Sequence, residues 1–436
     1  SAAAVHRLNR RDCGCDFARL ALIRSSRGVE NRRERAWNRH VPVRETAAVV
    51  RSRLAVTFIG VAAMAGSVLA AGPAAATSHR SHSCPKAESL VPQAHLKTRT
   101  LGKGLTLSEG VAHDAQGSVH IHVLRADLTN RHLSVGPLVR SLAERSPLSK
   151  LASHRHHLVA ATNTGYFDFR TGAPEGPLIT HRAPVILSTR HESVAGIGTN
   201  GRAQAGEVWL SGQVTSRGSS YRLSALNELD PPSGLVAYTR AWGSQVWVRG
   251  RSDVRTVVHG VVGAGSSHST SIPLHGRLLV ATSQSAQQWL DSLHTGASLS
   301  TTVAVHTSTS VPFAQAYGVG LQIVAQAGHV LTGFGCDSAG TQTPARTSIG
   351  YAKGGKQLII ALVDDHPGTT VHGLDENQMS ELMVQVGASH AYAFDGSGST
   401  ELLARMPGVS GLSLRTYPAD GEERPMPLGL GIFTTT

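Results

Sequence analysis

Asp395 closes a short apolar run, Ala391-Tyr-Ala-Phe394, and opens the sequence Gly396-Ser-Gly398-Ser399. A run that short, apolar and aromatic suits a buried strand better than a helix. Glycines let a backbone approach a ligand closely, and successive N–H groups in such a turn can form an anion-binding nest. A carboxylate beside such donors suits chemistry on an anionic substrate. Taken alone, the same spacing also describes an ordinary turn. A second acidic pair, Asp364-Asp365, ends the near-continuous apolar run Gln357-Leu-Ile-Ile-Ala-Leu-Val363, which reads as a strand buried on both faces.

The segment between these acids has to position them. Asp375 with Gln378 three residues on predicts a capping box. Met379, Leu382, Met383 and Val386 follow at helical spacing, and Gly387 stops the helix. A right-handed βαβ unit makes the two strands parallel and puts their C-terminal ends on one edge. Asp364 or Asp365 would then stand near Asp395, at the edge where α/β sheets favour ligands. Upstream, residues 118–125 and 132–139 alternate as half-wet strands, and 142–157 predicts a helix interrupted by Pro147. A strand over 159–162 leads into the polar, glycine-rich loop Asn163-Thr-Gly165-Tyr-Phe-Asp168. Strands over 235–239, 245–248 and 277–282 and a helix over 285–294 follow. No internal repeat appears, which excludes a propeller or solenoid. The expected fold class is α+β, with mixed β-sheets, flanking helices and a C-terminal βαβ unit carrying the site loops.

Of 41 Lys and Arg, 13 lie in residues 1–76 with only 5 of the 29 Asp and Glu, so the leader holds most of the net charge of +12. With 5% aromatic residues and no stacking motif, the remainder does not read as a nucleic-acid binder. Residues 51–76 have the form of a secretory signal peptide: Arg51 and Arg53, an apolar run from Leu54 to Ala70, and Ala74-Ala-Ala76. The rival reading is an uncleaved membrane anchor, which would be the chain's one membrane contact. Residues 1–50 are expected to be non-structural or a mis-called leader, 77–104 a linker, and 105–436 one domain, secreted or held at the cell envelope. Cys84 and Cys336 are read either as a disulfide or as two separate thiols. His154-Arg-His156-His157 lacks a zinc-ligand spacing, and no metal ligand is assigned. Ca²⁺ among Asp364, Asp365 and Asp395 is compatible with the residue types, without an EF-hand pattern. Gly396-Ser-Gly398 is not a G-x-S-x-G elbow, which argues against a serine esterase.

Five motifs, in order, resemble the phosphodiester glycosidase family over roughly residues 110–434. They are Asn163-Thr-Gly-Tyr-Phe-Asp168 with Gly176, Tyr238-Thr-Arg-Ala-Trp-Gly243 preceded by Leu226-Asn227, and Arg346-Thr-Ser-Ile-Gly350. The strand end Val363-Asp-Asp with Gly373-Leu374 and Phe394-Asp-Gly-Ser-Gly-Ser399 comes next, and Arg424-Pro425 closes the series. Thr164, Ser397 and Asp365 stand where the family has glycine.

The resemblance implies a hydrolase that cleaves a sugar-1-phosphodiester, GlcNAc-1-phosphodiester-like, at the anomeric carbon. Its partner would be a phosphorylated extracellular or cell-envelope glycan. Such chemistry needs a carboxylate to attack or to activate water, together with cations and donors for the phosphate. The resemblance puts Asp395 in the role of essential carboxylate, Arg346 in that of phosphate partner, and Asp364 in that of second carboxylate. Asn163, Gly165, Asp168 and Thr347 would contact substrate, and Gly396, Gly398 and Ser399 would supply donors. The alternative is a non-catalytic domain that binds phosphorylated envelope glycans.

Overall fold

The computed structural model describes residues 96–246, 253–266, 271–325, 328–331 and 343–435. Strand accounts for 49% of the structure and helix for 9%, so the architecture is compatible with the expected α+β class but strand-rich, with few helices. The strands form sheets of eight, eleven and five members. The leader, most of the linker, Cys84, Cys336 and part of 245–248 lie outside the described residues. Where the linker was expected to run to residue 104, the chain is already a strand at Lys97–Gly102, paired with Leu105–His113.

Strand Gln357–Val363 is central to the eight-stranded sheet, and its alternation explains its burial. Leu358, Ile360 and Leu362 face one core shared by all three sheets. Ile359, Ala361 and Val363 face the opposite way, against Met379, Leu382 and Met383 of helix Glu376–Gln385. That helix begins with the predicted capping box: Asp375 accepts from the Gln378 N–H at 2.8 Å and the Gln378 side chain accepts from the Asp375 N–H at 2.8 Å.

The βαβ unit differs from expectation in one informative way. Gln357–Val363 and His390–Ala393 are parallel but not adjacent; Arg346–Ala352 lies between them, antiparallel to both. The turn at Lys353–Gly355, with Gly354 and Gly355 at positive φ, folds Arg346–Ala352 back on Gln357–Val363 as a hairpin. The helix then carries the chain across to the hairpin's free edge. Because the middle strand runs the other way, its first residue, Arg346, faces Val363 in register. One sheet edge thus collects Asp364, Arg346 and Asp395.

The five-stranded sheet delivers the other half of the site. Leu158–Asn163 is buried along its whole length between Leu402–Ala404 and Leu428–Thr434. The helix expected over 142–157 shrinks to Leu148–Ala152. Residues 142–146 instead turn at Leu142–Ala143 and bond to Ala241, Trp242 and Met426, and Pro147 can only begin a helix.

Candidate active site

Asp395 follows strand His390–Ala393, and its backbone N–H donates to the Thr164 carbonyl at 3.0 Å. This joins the Asn163–Asp168 loop to the Asp395 loop. Asn163, 1% exposed, holds the joint from inside: its Nδ2 donates to the Asp395 carbonyl at 2.7 Å and its Oδ1 accepts from Thr347 Oγ1 at 2.8 Å. Asn163 and Thr347, expected as substrate contacts, are instead a buried clamp. Gly165 is required by close approach, since a Cβ there would stand 2.5 Å from the Gly318 carbonyl oxygen.

The half-buried Asp395 carboxylate accepts from the Gly396 N–H at 3.0 Å. Burial pushes its pKa up, against hydrogen bonds from Ser399 and Gly396 and the charge of Arg424. The glycine loop is a single 3-10 turn, Ser397–Ser399, with Ser397 at φ 54. Its donors are largely spent within the fold: Ser397 N–H on the Ala345 carbonyl, Ser399 N–H on the Gly396 carbonyl, Gly396 N–H on Asp395. The expected donor role of Gly396 and Ser399 gives way to this self-contained turn. Gly398 is needed for another reason, because a Cβ would lie 2.2 Å from Arg424 Nη2 and from Asp420 Oδ2. Arg424, paired with Asp420 at 2.7 and 3.0 Å, also donates to Ser399 Oγ at 3.2 Å and lies over the Phe169 ring.

Arg346 is half-buried at the same edge, its Nε donating to the Leu374 carbonyl at 2.9 Å and its Nη1 to Glu376. Burial pushes the Glu376 carboxyl up, with Arg346 opposing. The Tyr166 phenol is also pushed up by burial, with the Glu376 and Asp395 charges adding and Arg346 opposing, so all four groups share one electrostatic neighbourhood. Tyr166 and Phe169 remain 40% and 61% exposed, an aromatic rim unusual for side chains that size.

Asp364 takes a different part. Its carboxylate accepts from His122 on the neighbouring strand at 3.2 Å, on the side of Gln357–Val363 away from Arg346–Ala352. His122 bonds onward to Glu109, which pairs with Arg415. Burial disfavours the His122 imidazolium, yet the hydrogen bonds from Asp364 and Glu109 prevail and raise its pKa to about 9. Asp364 therefore joins a buried ion network through one oxygen, while its Oδ1 is buried without a partner. Asp168 likewise caps its own turn, accepting from the Thr171 N–H and hydroxyl at 2.6 and 2.8 Å. Among the described residues, no group of three or more His, Cys, Asp or Glu is placed to hold a metal ion. For Ca²⁺, one oxygen of the Asp364 carboxylate is already committed to His122.

Several groups escaped the sequence reading. Glu376 was legible only as an acid just inside a helix start, and Glu175 as a residue between two prolines. Burial pushes Glu175 up, with the Asp168 and Asp395 charges adding. A cavity of about 270 Å³ lies beside Tyr166 and Glu175. It shares Glu175 and Glu192 with a larger one of about 680 Å³ that reaches Asp168, Arg170 and Glu228. Glu228 is 5% exposed, its Oε2 has no partner, and burial lifts its pKa to about 8 with Glu192 adding and Arg190 opposing.

The desolvated Asp395 carboxylate and the Arg346 guanidinium thus share an electrostatic neighbourhood with the exposed Tyr166. Residues 252–433 match the family model described as phosphodiester glycosidase. The match contains Arg346, Asp395 and Arg424, while the Asn163 loop joins them only in three dimensions. A Synechocystis protein aligns with TM-score 0.64 at 18% identity, over 78% of this chain and 64% of that one. A Burkholderia pseudomallei K96243 protein gives 0.58 at 18% identity, over 73% and 74%. Both show the shared fold. This chain thus spans less than two thirds of the Synechocystis protein. The zebrafish N-acetylglucosamine-1-phosphodiester α-N-acetylglucosaminidase catalytic domain aligns at TM-score 0.42 and 16% identity, over 79% and 87%. No curated protein matches the sequence.

Proposed function

We propose that this protein hydrolyses a sugar-1-phosphodiester at the anomeric carbon, outside the cell or at its envelope. The observation that carries the reading is that the Asp395 carboxylate and the Arg346 guanidinium stand at one sheet edge, with Tyr166 in the same electrostatic neighbourhood. Asp395 either takes the proton of the attacking water or attacks the anomeric carbon to form a glycosyl ester that water then hydrolyses, and in both cases the carbon–oxygen bond to phosphate breaks. The electron pair leaves on the phosphate oxygen, giving a phosphomonoester and a free sugar. Phosphate is a good leaving group, so no strong general acid is needed. Arg346 offers its remaining donors to the phosphate, with Glu376 fixing its orientation. The raised basicity of a desolvated Asp395 suits either role. Tyr166 and Phe169 provide faces on which a sugar ring packs, and the Glu175–Glu228 cleft provides room for the rest of the glycan.

A second reading, binding without turnover, is favoured by one feature: Arg346 is already engaged by Glu376 and the Leu374 carbonyl. Incubation with a GlcNAc-1-phosphodiester, following reducing sugar and calorimetric binding together, separates the two. Turnover that falls in Arg346→Ala supports hydrolysis. Saturable binding with no sugar released supports the binding domain and overturns the enzyme reading.

A further inference from the structure

A third cavity, of about 570 Å³, opens at the other end of the strand that carries Asn163. Its wall comes from His154, Arg155, His156 and His157, which lead into Leu158–Asn163, and from Arg405, which follows Leu402–Ala404. These strands are antiparallel neighbours, so both chains reach the same end, five residue steps or roughly 17 Å from Asn163.

The charge of this wall is one-sided. Two arginines and three histidines line it and no carboxylate does. The adjoining acid, Glu423, is held by the Ser149 N–H at 2.9 Å and the Ser149 hydroxyl at 2.6 Å. Arg155 is steered by carbonyls, its Nη2 donating to Val139 at 3.0 Å and its Nε to Leu151 at 3.5 Å, so its charge stays uncompensated. Arg405 Nε is buried with no acceptor, a donor whose desolvation is unfavourable unless something accepts from it. His154 and His157 stand at φ 58 and φ 62, a left-handed conformation that L residues rarely adopt. The Arg155 guanidinium and the orphaned Arg405 Nε thus offer donors to an anion in a pocket whose lining holds no carboxylate.

We propose that this pocket is a second anion site that takes a phosphate group of a polyanionic glycan. The assignment rests on the hydrolase reading for its substrate class. It sharpens that class from a lone diester to a polymer with repeated phosphates, one held here while another is at Asp395. Arg155 and Arg405 bind the phosphate oxygens and the histidine side chains surround them.

The test compares binding of two probes, inorganic phosphate and a phosphodiester-linked poly(GlcNAc-1-phosphate), with hydrolysis of a short GlcNAc-1-phosphodiester. Arg405→Gln removes the guanidinium and its charge while keeping a polar side chain, and the exposed His156→Gln serves as a second variant that leaves the fold undisturbed. The expected result is about tenfold weaker polymer binding in Arg405→Gln, with a shallower salt dependence. His156→Gln shows a smaller loss, and hydrolysis of the short diester is unchanged in both. Unchanged polymer affinity in the folded variants overturns the site. Arg405-dependent binding of inorganic phosphate without polymer binding overturns the polymer assignment. Failure of the parent protein to cleave the short diester sinks the catalytic reading instead, and leaves the binding comparison standing.

Discussion

Replacing Asn163 by Ala asks whether this side chain clamps the site or touches the sugar. The side chain bonds the Asp395 carbonyl at 2.7 Å and Thr347 Oγ1 at 2.8 Å, and both partners would be left buried. Each lost bond with an unpaired buried partner costs about 1–3 kcal/mol, so a loss of about 3 kcal/mol is expected in total. The Asp395 loop would also lose its anchor, and misplacing a reacting group by about 1 Å costs on the order of a hundredfold in rate. Urea unfolding gives the stability, and steady-state hydrolysis gives kcat and KM. The clamp predicts that stability and kcat fall together while KM changes little. Were Asn163 a sugar ligand, stability would hold within about 0.5 kcal/mol and KM would rise. That outcome would refute the reasoning.

Gly398→Ala sets a methyl against the Arg424–Asp420 pair, which swings aside at a stability cost under about 1 kcal/mol, since only side-chain ends must move. Activity should fall several-fold as Arg424 leaves Ser399, read as kcat beside an unchanged urea midpoint. Stability should decline on the alkaline side, as seen in melts across pH. The His122 contribution is complete below its ordinary 6.5 and is lost as pH rises through about 9. The Glu228 carboxyl, raised from 4.5 to about 8, opposes folding increasingly over that interval, so Glu228→Gln should flatten the decline there. Glu109, lowered from 4.5 to about 2, stabilises fully above 4.5 and less as pH falls towards 2. Glu109→Gln should therefore remove an acid-side loss of stability.

Much of the C-terminal architecture is legible in the sequence because its signals are local. The apolar run 357–363 and the Asp375–Gln378 capping box each specify their element without reference to distant residues. The strand inserted between the parallel pair is not legible this way. Arg346–Ala352 reads as an unremarkable mixed segment, and its position is set by a turn and by pairings to two remote partners. The side-chain roles fail for the same reason. Whether Asp364 points at Asp395 or at His122, 242 residues away in sequence, depends on which strand flanks it. Asn163 and Thr347 carry polar side chains suited to sugar, but Asn163 sits where a buried strand ends and its donors are needed inside. Tyr166 lay in a motif already singled out, and only its exposure tells that it faces the site.

The central claim is that the Asp395 carboxylate does chemistry on a sugar-1-phosphodiester. The direct measurement is release of reducing sugar from a GlcNAc-1-phosphodiester by the parent protein and by Asp395→Asn, with folding of both checked by urea melts. The account predicts turnover by the parent and a loss of at least about a hundredfold in a folded Asp395→Asn. Equal turnover by the two proteins would contradict it.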